Sequence, residues 1–242
     1  MGWYMNGSVP SIDPTSNFTR FSPPNVTDTP ETLFEPNVPQ YMTPSAPRFM
    51  RRFNPEEFLI YADGACSGNG TADAAAGCAF VFRPATTPGP TTNTLHWGEL
   101  GTLGSVSLRL ETRGPQGDFA EQTSNRAELR AIIAILGFRF WLGEGCRRLV
   151  IATDSSYVVE GSTQWIKKWQ WNGWTTAGGK PVKNRDLWEE LIKELHRWSE
   201  KGLHVQFWLI PRSLNTVADG LAKQAIAQPA VEQWTRIFGA LC

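Results

Sequence analysis

Four acidic residues, each set beside an apolar segment, constrain this chain more than any other feature. They are Asp63 in FLIYADGACSGNG, Glu128 in TSNRAELRAI, Asp154 in LVIATDSSYVV and Asp219 in NTVADGLAKQA. Each falls where a strand ends or a helix passes, so the packing of its neighbours would pin it. Taken singly, three have ordinary structural roles. Asp63 can cap a turn, Asp154 can cap a helix, and Glu128 can serve as the capping-box partner of Asn125. Asp219 lies on an otherwise apolar helix face, where a charge is costly unless it is paired or metal-bound. Together the four pose a shared problem. Two unit charges ~4 Å apart repel by ~4 kcal/mol at an effective dielectric of 20. A fold that gathers four such groups needs a compensating cation, and hard divalent metals take oxygen ligands. The set points to metal-assisted chemistry on phosphate.

The rest of the chain narrows the setting. Its 242 residues allow one domain, or one domain and a tail, and a hydrophobic content of 41% supports a real core. The formal net charge is zero, so contact with a polyanion has to come from a local patch. Cys66, Cys78, Cys146 and Cys242 show no CxxC spacing, and reduced thiols are expected. No apolar run reaches membrane-spanning length, so no membrane partner is expected. Neither a secretory signal nor an Arg-rich transit pattern stands at the N-terminus. An intracellular protein is expected, with cytoplasm, nucleus and mitochondrion left open. Nothing in the sequence resembles a dedicated oligomer interface, and a monomer is expected.

Residues 1–50 hold nine of the 17 prolines and only six charged residues. Such a composition predicts a disordered, Pro-rich N-terminal tail over 1–52, with a docking segment around Phe21, Phe34 and Tyr41 as the alternative. A single globular domain is expected over 53–242. Periodicity predicts strands at 58–62, 77–83 and 105–112, with a loop at 84–94. Helices are predicted over 127–141, with Ser124 as a cap, and over 155–169, 186–199 and 215–227. A continuous apolar run at 148–153 reads as a central strand buried on both faces, and 204–210 as a further strand. Strands followed by alternating helices and strands predict an α/β domain, a mixed sheet with helices packed on it.

At this point the motifs DGAC-G-N, TSNRAEL, TDSSYV and NTVADGLA resemble those of type 1 ribonuclease H. The most specific match is TDSSYVVEGSTQWIKKWQWNGWTTAGGKPVKNRDLW, residues 153–188. The resemblance covers roughly 58–227. It implies a five-stranded mixed sheet in the order 3-2-1-4-5 flanked by helices. It also implies endonucleolytic cleavage of the RNA strand of RNA–DNA hybrids, leaving 5′-phosphate and 3′-hydroxyl ends. Two Mg²⁺ ions, for which Mn²⁺ substitutes, would be held by Asp63, Glu128, Asp154 and Asp219. On this resemblance Asp63 bridges both ions and Asp219 helps hold the one that activates water. Glu128 and Asp154 hold the ion near the leaving 3′-oxygen.

The same resemblance assigns substrate contacts. Cys66, Gly68 and Asn69 in the first loop, with Asn125 and Arg126 before Glu128, would sense ribose 2′-hydroxyls in the minor groove. Thr123 and Asn184 match positions that grip a DNA-strand phosphate. Each of these also reads as plain turn or cap chemistry. Residues 161–185 carry Lys167, Lys168, Lys180, Lys183 and Arg185 with no acid, a local +5 in a neutral chain. With Trp165 and Trp169 this stretch resembles the basic protrusion that cradles the DNA strand, where phosphate contacts give affinity and position. The bland reading is an amphipathic helix with solvated lysines and core tryptophans. Both hold together if the tryptophans, spaced i, i+4, pack inward.

The pattern departs from the family in one place. Many type 1 enzymes carry a His in the loop before the last Asp, whereas residues 210–219 here read IPRSLNTVAD. The loop resembles the Pro-Arg form of other relatives, in which Arg212 is either a phosphate contact or a surface charge. His204, at the start of the preceding strand, reads as structural. Two other readings stand beside the enzyme: a non-catalytic hybrid-binding module of the same fold, and a structure-specific nuclease of the wider superfamily. Assistance by a general acid–base group contributes ~10²–10⁴-fold, so activity slower than in His-bearing relatives is expected. Substitution of Ser213 by His should raise the turnover of a labelled hybrid, and an unchanged rate would show that this loop does not limit it.

Overall fold

The computed structural model describes residues 18–40, 46–87, 94–96 and 102–239. A long strand, β4 (Asn54–Ser67), organises the sheet. On one side it pairs in parallel with β8 (Arg148–Thr153), from Glu57↔Arg148 to Tyr61↔Ala152. Its other edge is shared by two strands in succession. The first half of β4 takes β3 (Arg48–Arg51), with Phe49 opposite Leu59. The second half takes β5 (Ala75–Thr87), from Tyr61↔Val81 to Ser67↔Ala75. Next to β5 lie β7 (Thr102–Arg109) and the short β6 (Thr94–His96). β9 (His204–Leu209) extends the other side in parallel with β8. The core order β7-β5-β4-β8-β9 is the 3-2-1-4-5 arrangement that the resemblance implies. The sheet is larger than the expected five strands, with nine among the described residues.

The extra strands correct the reading of 1–52 as a disordered tail. β1 (Phe18–Arg20) pairs in parallel with β9. Helix α1 (Pro30–Leu33) leads into β2 (Phe34–Asn37), which pairs with β3. Composition misled because the prolines sit where they cost nothing. Pro30 opens α1 behind the Thr29 cap, and Pro36 lies on the edge strand β2, which pairs only with β3. Phe18, Phe21, Phe34, Phe49 and Met50 are all buried. Phe21 and Phe34, two residues of the docking alternative, are instead packed into this domain's own core. Residues 1–17 and 41–45, Tyr41 among them, lie outside the described residues.

Alternation along the strands sorts two apolar layers. Phe58, Ile60 and Ala62 of β4 with Leu149 and Ile151 of β8 face the layer of α2 (Ser124–Phe138) and α5 (Arg185–Glu200). Leu59 and Tyr61 with Val150 and Ala152 face the opposite layer, which holds Phe21, Phe34, Trp208 and Ala218. The last of these belongs to α6 (Thr216–Ala225). α2 is apolar nearly all round and is buried, as such a helix must be. Its cap is Thr123 rather than Ser124: the Thr123 hydroxyl accepts from the Arg126 backbone N–H. The helix predicted over 155–169 is α3 (Ser156–Glu160), a π turn (Gly161–Trp165) and α4 (Ile166–Trp171). Gly161 sits under Trp188, where a Cβ would come within 2.2 Å of the indole. The segment 84–94, expected as a loop, is strand up to Thr87.

Two ion pairs lie inside this fold. Arg130, 1% exposed, donates to both oxygens of Glu111, 2% exposed, and to the Thr235 carbonyl. Trp234 lies over its guanidinium, which ties residues beyond α6 to the body of the domain. Arg48 of β3 pairs with the buried Glu144 at 2.7 Å. Breaking a buried pair from one side leaves an uncompensated charge and costs ~3–5 kcal/mol. Arg130→Met should therefore lower unfolding stability in urea by about that much, and adding Glu111→Leu should recover most of it.

Candidate active site

The acids arrive from three kinds of position. Asp63 follows Leu59 and Tyr61 on one face of β4, and Asp154 follows Val150 and Ala152 beyond the end of β8. Asp219 lies in the first turn of α6, next to the buried Ala218. Glu128 reaches the site from α2. A Cβ on Gly64 would stand 2.2 Å from the Glu128 backbone nitrogen and 2.4 Å from the Ala127 carbonyl carbon. Only glycine lets α2 cross β4 this closely, and the crossing sets Glu128 beside Asp63.

Each acid outside the strand β4 is engaged by a protein donor. The Ser155 hydroxyl donates to Glu128 Oε2 at 2.5 Å while also capping α3. Asp154 Oδ1 accepts from Asn215 Nδ2 at 2.7 Å, and the same amide donates to the Ala62 carbonyl. Asp219 Oδ1 takes Arg212 Nη2 at 2.7 Å, and its Oδ2 takes Lys223 Nζ at 2.6 Å. Thus Glu128 is no capping-box partner of Asn125, and the cap of α3 is Ser155 rather than Asp154. Asn215, Ser155 and Lys223 are positioning groups that sequence reasoning did not single out. The spacing of Lys223 four residues after Asp219 was the available signal for one of them.

Electrostatics set Asp63 apart. It is 5% exposed and has no salt-bridging cation among the described residues. Burial, then the charges of Asp154, Asp219 and Glu128, push its carboxyl up to about 7 against a backbone hydrogen bond from Gly64. Burial and Asp154 also push Glu128 up, with the Ser155 hydroxyl opposing. Burial acts upward on Asp219 too, but Lys223 and Arg212 outweigh it and hold that carboxyl below its usual range. Among the described residues no three His, Cys, Asp or Glu side chains close into a ready-made metal cage. What the fold provides is an open set of hard oxygen donors around one buried, uncompensated carboxylate. That donor set fits a divalent ion that retains water and substrate in its shell, as Mg²⁺ does.

A groove of about 730 Å³ carries much of the remaining set. Asn69, Thr123, Asn125, Lys183 and Asn184 line it, with Trp165 and Trp169 in its wall. Cys66, expected in a loop, lies near the end of β4 opposite Ala76, and its thiol donates to the Gln122 carbonyl; Gly68, with φ of 65°, turns the chain just beyond it. Arg126 also lines the groove, but its guanidinium is buried and bidentate on Asp186, at 2.9 and 2.5 Å. Its observed contacts are therefore with the protein. Asn184, with φ of 56°, donates to the Tyr157 hydroxyl. Trp169 is buried against Trp174 and Trp188, whereas Lys167 and Lys168 are exposed, so the inward tryptophans and outward lysines coexist. The expected +5 is reduced, because Arg185 pairs with Glu189. His204 bonds Thr19 at the start of β9 and is remote from the acids.

The chain matches the RNase H family over residues 55–227. A ribonuclease H of Treponema pallidum is 39% identical over 132 residues, 54% of this chain and 69% of the relative. A ribonuclease H of Pelobacter propionicus is 36% identical over 175 residues, 70% of this chain and 84% of the relative. A crystal structure of a type 1 RNase H with the type 2 active-site motif is 26% identical, with a TM-score of 0.48 over 71% of this chain and 72% of that one. With its family match spanning most of the domain that carries the four acids, the chain belongs to the ribonuclease H family.

Proposed function

We propose that this ribonuclease H hydrolyses the RNA strand of RNA–DNA hybrids at the cluster of Asp63, Glu128, Asp154 and Asp219. The observation that carries the reading is Asp63: a buried carboxylate without a cation partner, facing the charge of three other acids. The four would hold two Mg²⁺ ions, or Mn²⁺ in their place. Divalent ions bound there supply charge stabilisation for the attacking and leaving oxygens of an in-line displacement. The protein's own part is to place the donors. Asn215 ties Asp154 to β4 at Ala62, and Ser155 orients Glu128. Arg212 and Lys223 balance Asp219 before a metal arrives, and both are more than half exposed, so they can be displaced at little cost.

The groove supplies the substrate contacts. Exposed Lys167, Lys168 and Lys183 offer phosphate contacts, which give affinity independent of sequence. Asn69 and Asn125, with Cys66 and Gly68 close to Asn69 in the chain, offer polar groups to the minor groove, where the 2′-hydroxyl distinguishes RNA from DNA. Thr123 and Asn184 line the same groove and suit a phosphate of the DNA strand. Since chain-wide charge is zero, affinity should come from this face and fall with salt. No helix among the described residues is long and apolar enough to cross a membrane. We propose a monomer acting on hybrid inside the cell.

Asp154→Asn tests the assignment. Cleavage of labelled hybrid in Mg²⁺ should fall at least ~10²-fold, while hybrid affinity measured by anisotropy stays within about threefold. A folded wild-type protein that binds hybrid and cuts nothing in Mg²⁺ or Mn²⁺ would leave the binding-module reading instead.

The Asp63 shift gives a second test, through stability. An unfolded Asp titrates near 3.9, and the folded carboxyl near 7. Folding therefore retains a proton between those values, and metal-free stability should fall as pH rises from about 4 to 7. Asp63→Asn removes the titrating carboxyl, so its melting temperature without metal should exceed that of the wild type at pH 8 and approach it at pH 4. Added Mg²⁺ should stabilise the wild type more at pH 8 than at pH 6, and the variant hardly at all.

A further inference from the structure

We propose that residues 18–37 are a positioning element of the active site, holding the loop that presents Arg212, Asn215 and Asp219. The proposal rests on the reading of Asp219 as a metal ligand. That loop leaves β9 at Leu209, makes a single 3₁₀ turn (Arg212–Leu214), and enters α6 at Asn215. Its own anchors are few. Ile210 donates to the Thr153 carbonyl, and Asn215 reaches Ala62 and Asp154. Arg212 is largely exposed, and none of the three residues of the turn is buried.

The N-terminal segment supplies what this loop lacks. β1 adds to the free edge of β9, from Phe18↔Val205 to Arg20↔Phe207, and the Phe21 N–H continues the pairing to the Phe207 carbonyl at 2.9 Å. The Phe21 ring lies 4.7 Å from Trp208, and Phe34 stands 6.4 Å from both. Arg51 covers the Phe21 and Phe34 rings. A groove of about 510 Å³ runs between this segment and the loop, with Phe21, Pro30, Trp208, Pro211 and Leu214 in its walls.

Register carries the argument from packing to chemistry. The apolar layer that Phe21, Phe34 and Phe49 complete also contains Tyr61, Ala152 and Ala218. Tyr61 and Ala152 stand two residues before Asp63 and Asp154 on the same faces of their strands. Ala218 adjoins Asp219. Three of the four carboxylates therefore rest on one floor, and the N-terminal segment builds its underside. The fourth, Glu128, is held from the opposite layer through Gly64. A loosened floor would move Asp219, carried by the least anchored element, relative to the other three acids, and a displacement of about 1 Å at reacting groups costs up to ~10²-fold in rate.

The test compares two substitutions in the full chain. Phe21→Ala removes the ring against Trp208. Arg48→Lys weakens a buried pair outside that segment, the one between β3 and Glu144, away from the loop. Both are assayed at a temperature where circular dichroism finds each fully folded, with Phe21→Leu as a milder replacement should Phe21→Ala fail to fold. The expected result is a roughly tenfold fall in kcat for Phe21→Ala with KM for hybrid nearly unchanged, and partial rescue by Phe21→Tyr. Arg48→Lys should keep its kcat while losing thermal stability. Amide exchange at Ile210 and Asp219 should accelerate in Phe21→Ala without change in α5, a readout that stands whether or not the protein cleaves hybrid. Full kcat and unchanged exchange in Phe21→Ala would overturn the proposal. So would equal losses of kcat in the two variants.

Discussion

Mutual repulsion among carboxylates is the constraint that the rest of the molecule answers. Left to itself, a cluster of four acids would spread apart or take up protons. The fold prevents the first by mounting the acids on different elements, each anchored by its own packing. It balances the charge of one of them directly, through the Arg212 and Lys223 pairs on Asp219. Asp63 receives no such cation, and burial together with the charges of the other acids pushes its carboxyl up toward neutrality. The site is thus tense where an ion would bind and relaxed at its rim. Stability is surrendered at Asp63 to make a place where a divalent cation gains most.

The sheet keeps that tension from unravelling the fold. β4 and β8 are buried on both faces, so neither Asp63 nor Asp154 can move without moving a strand. Gly64 fixes the distance between the strand layer and α2, because any side chain there would meet the α2 backbone. Asn215 spans the remaining gap with one amide that reaches both Ala62 and Asp154. Rigid elements thereby hold three acids, and only the limb between β9 and α6 depends on support from outside the common core.

How legible this was follows from the range of the interactions. The central strands and α5 could be read because their burial writes a local period into the sequence. The core strand order followed from the resemblance carried by TDSSYVV and NTVADGLA. Residues 18–40 and 46–52 could not be read, because their apolar residues are spaced among prolines, and their strands exist only through pairing with β9, β4 and one another. Hydrogen bonds of Asn215 and Ser155 escaped for the same reason: their partners lie 61 and 27 residues away. Arg126 was legible as a motif residue, but its commitment to Asp186, 60 residues on, was not.

The basic face shows how a neutral chain can meet a polyanion. Lys167 and Lys168 stand outside a stack of Trp165, Trp169, Trp174 and Trp188 that holds α4 against α5. The Tyr157 hydroxyl accepts from the Trp188 indole and from Asn184, so the floor of the groove is cross-linked to its far wall. Each lysine acts only locally, since interactions between exposed charges are largely screened beyond about 8 Å at physiological salt. Their effect comes from being held on one rigid face, at a fixed distance from the acids. Contacts that carry no sequence information still set where along the hybrid the scissile phosphate falls, because the groove and the carboxylates share α2 as a common wall.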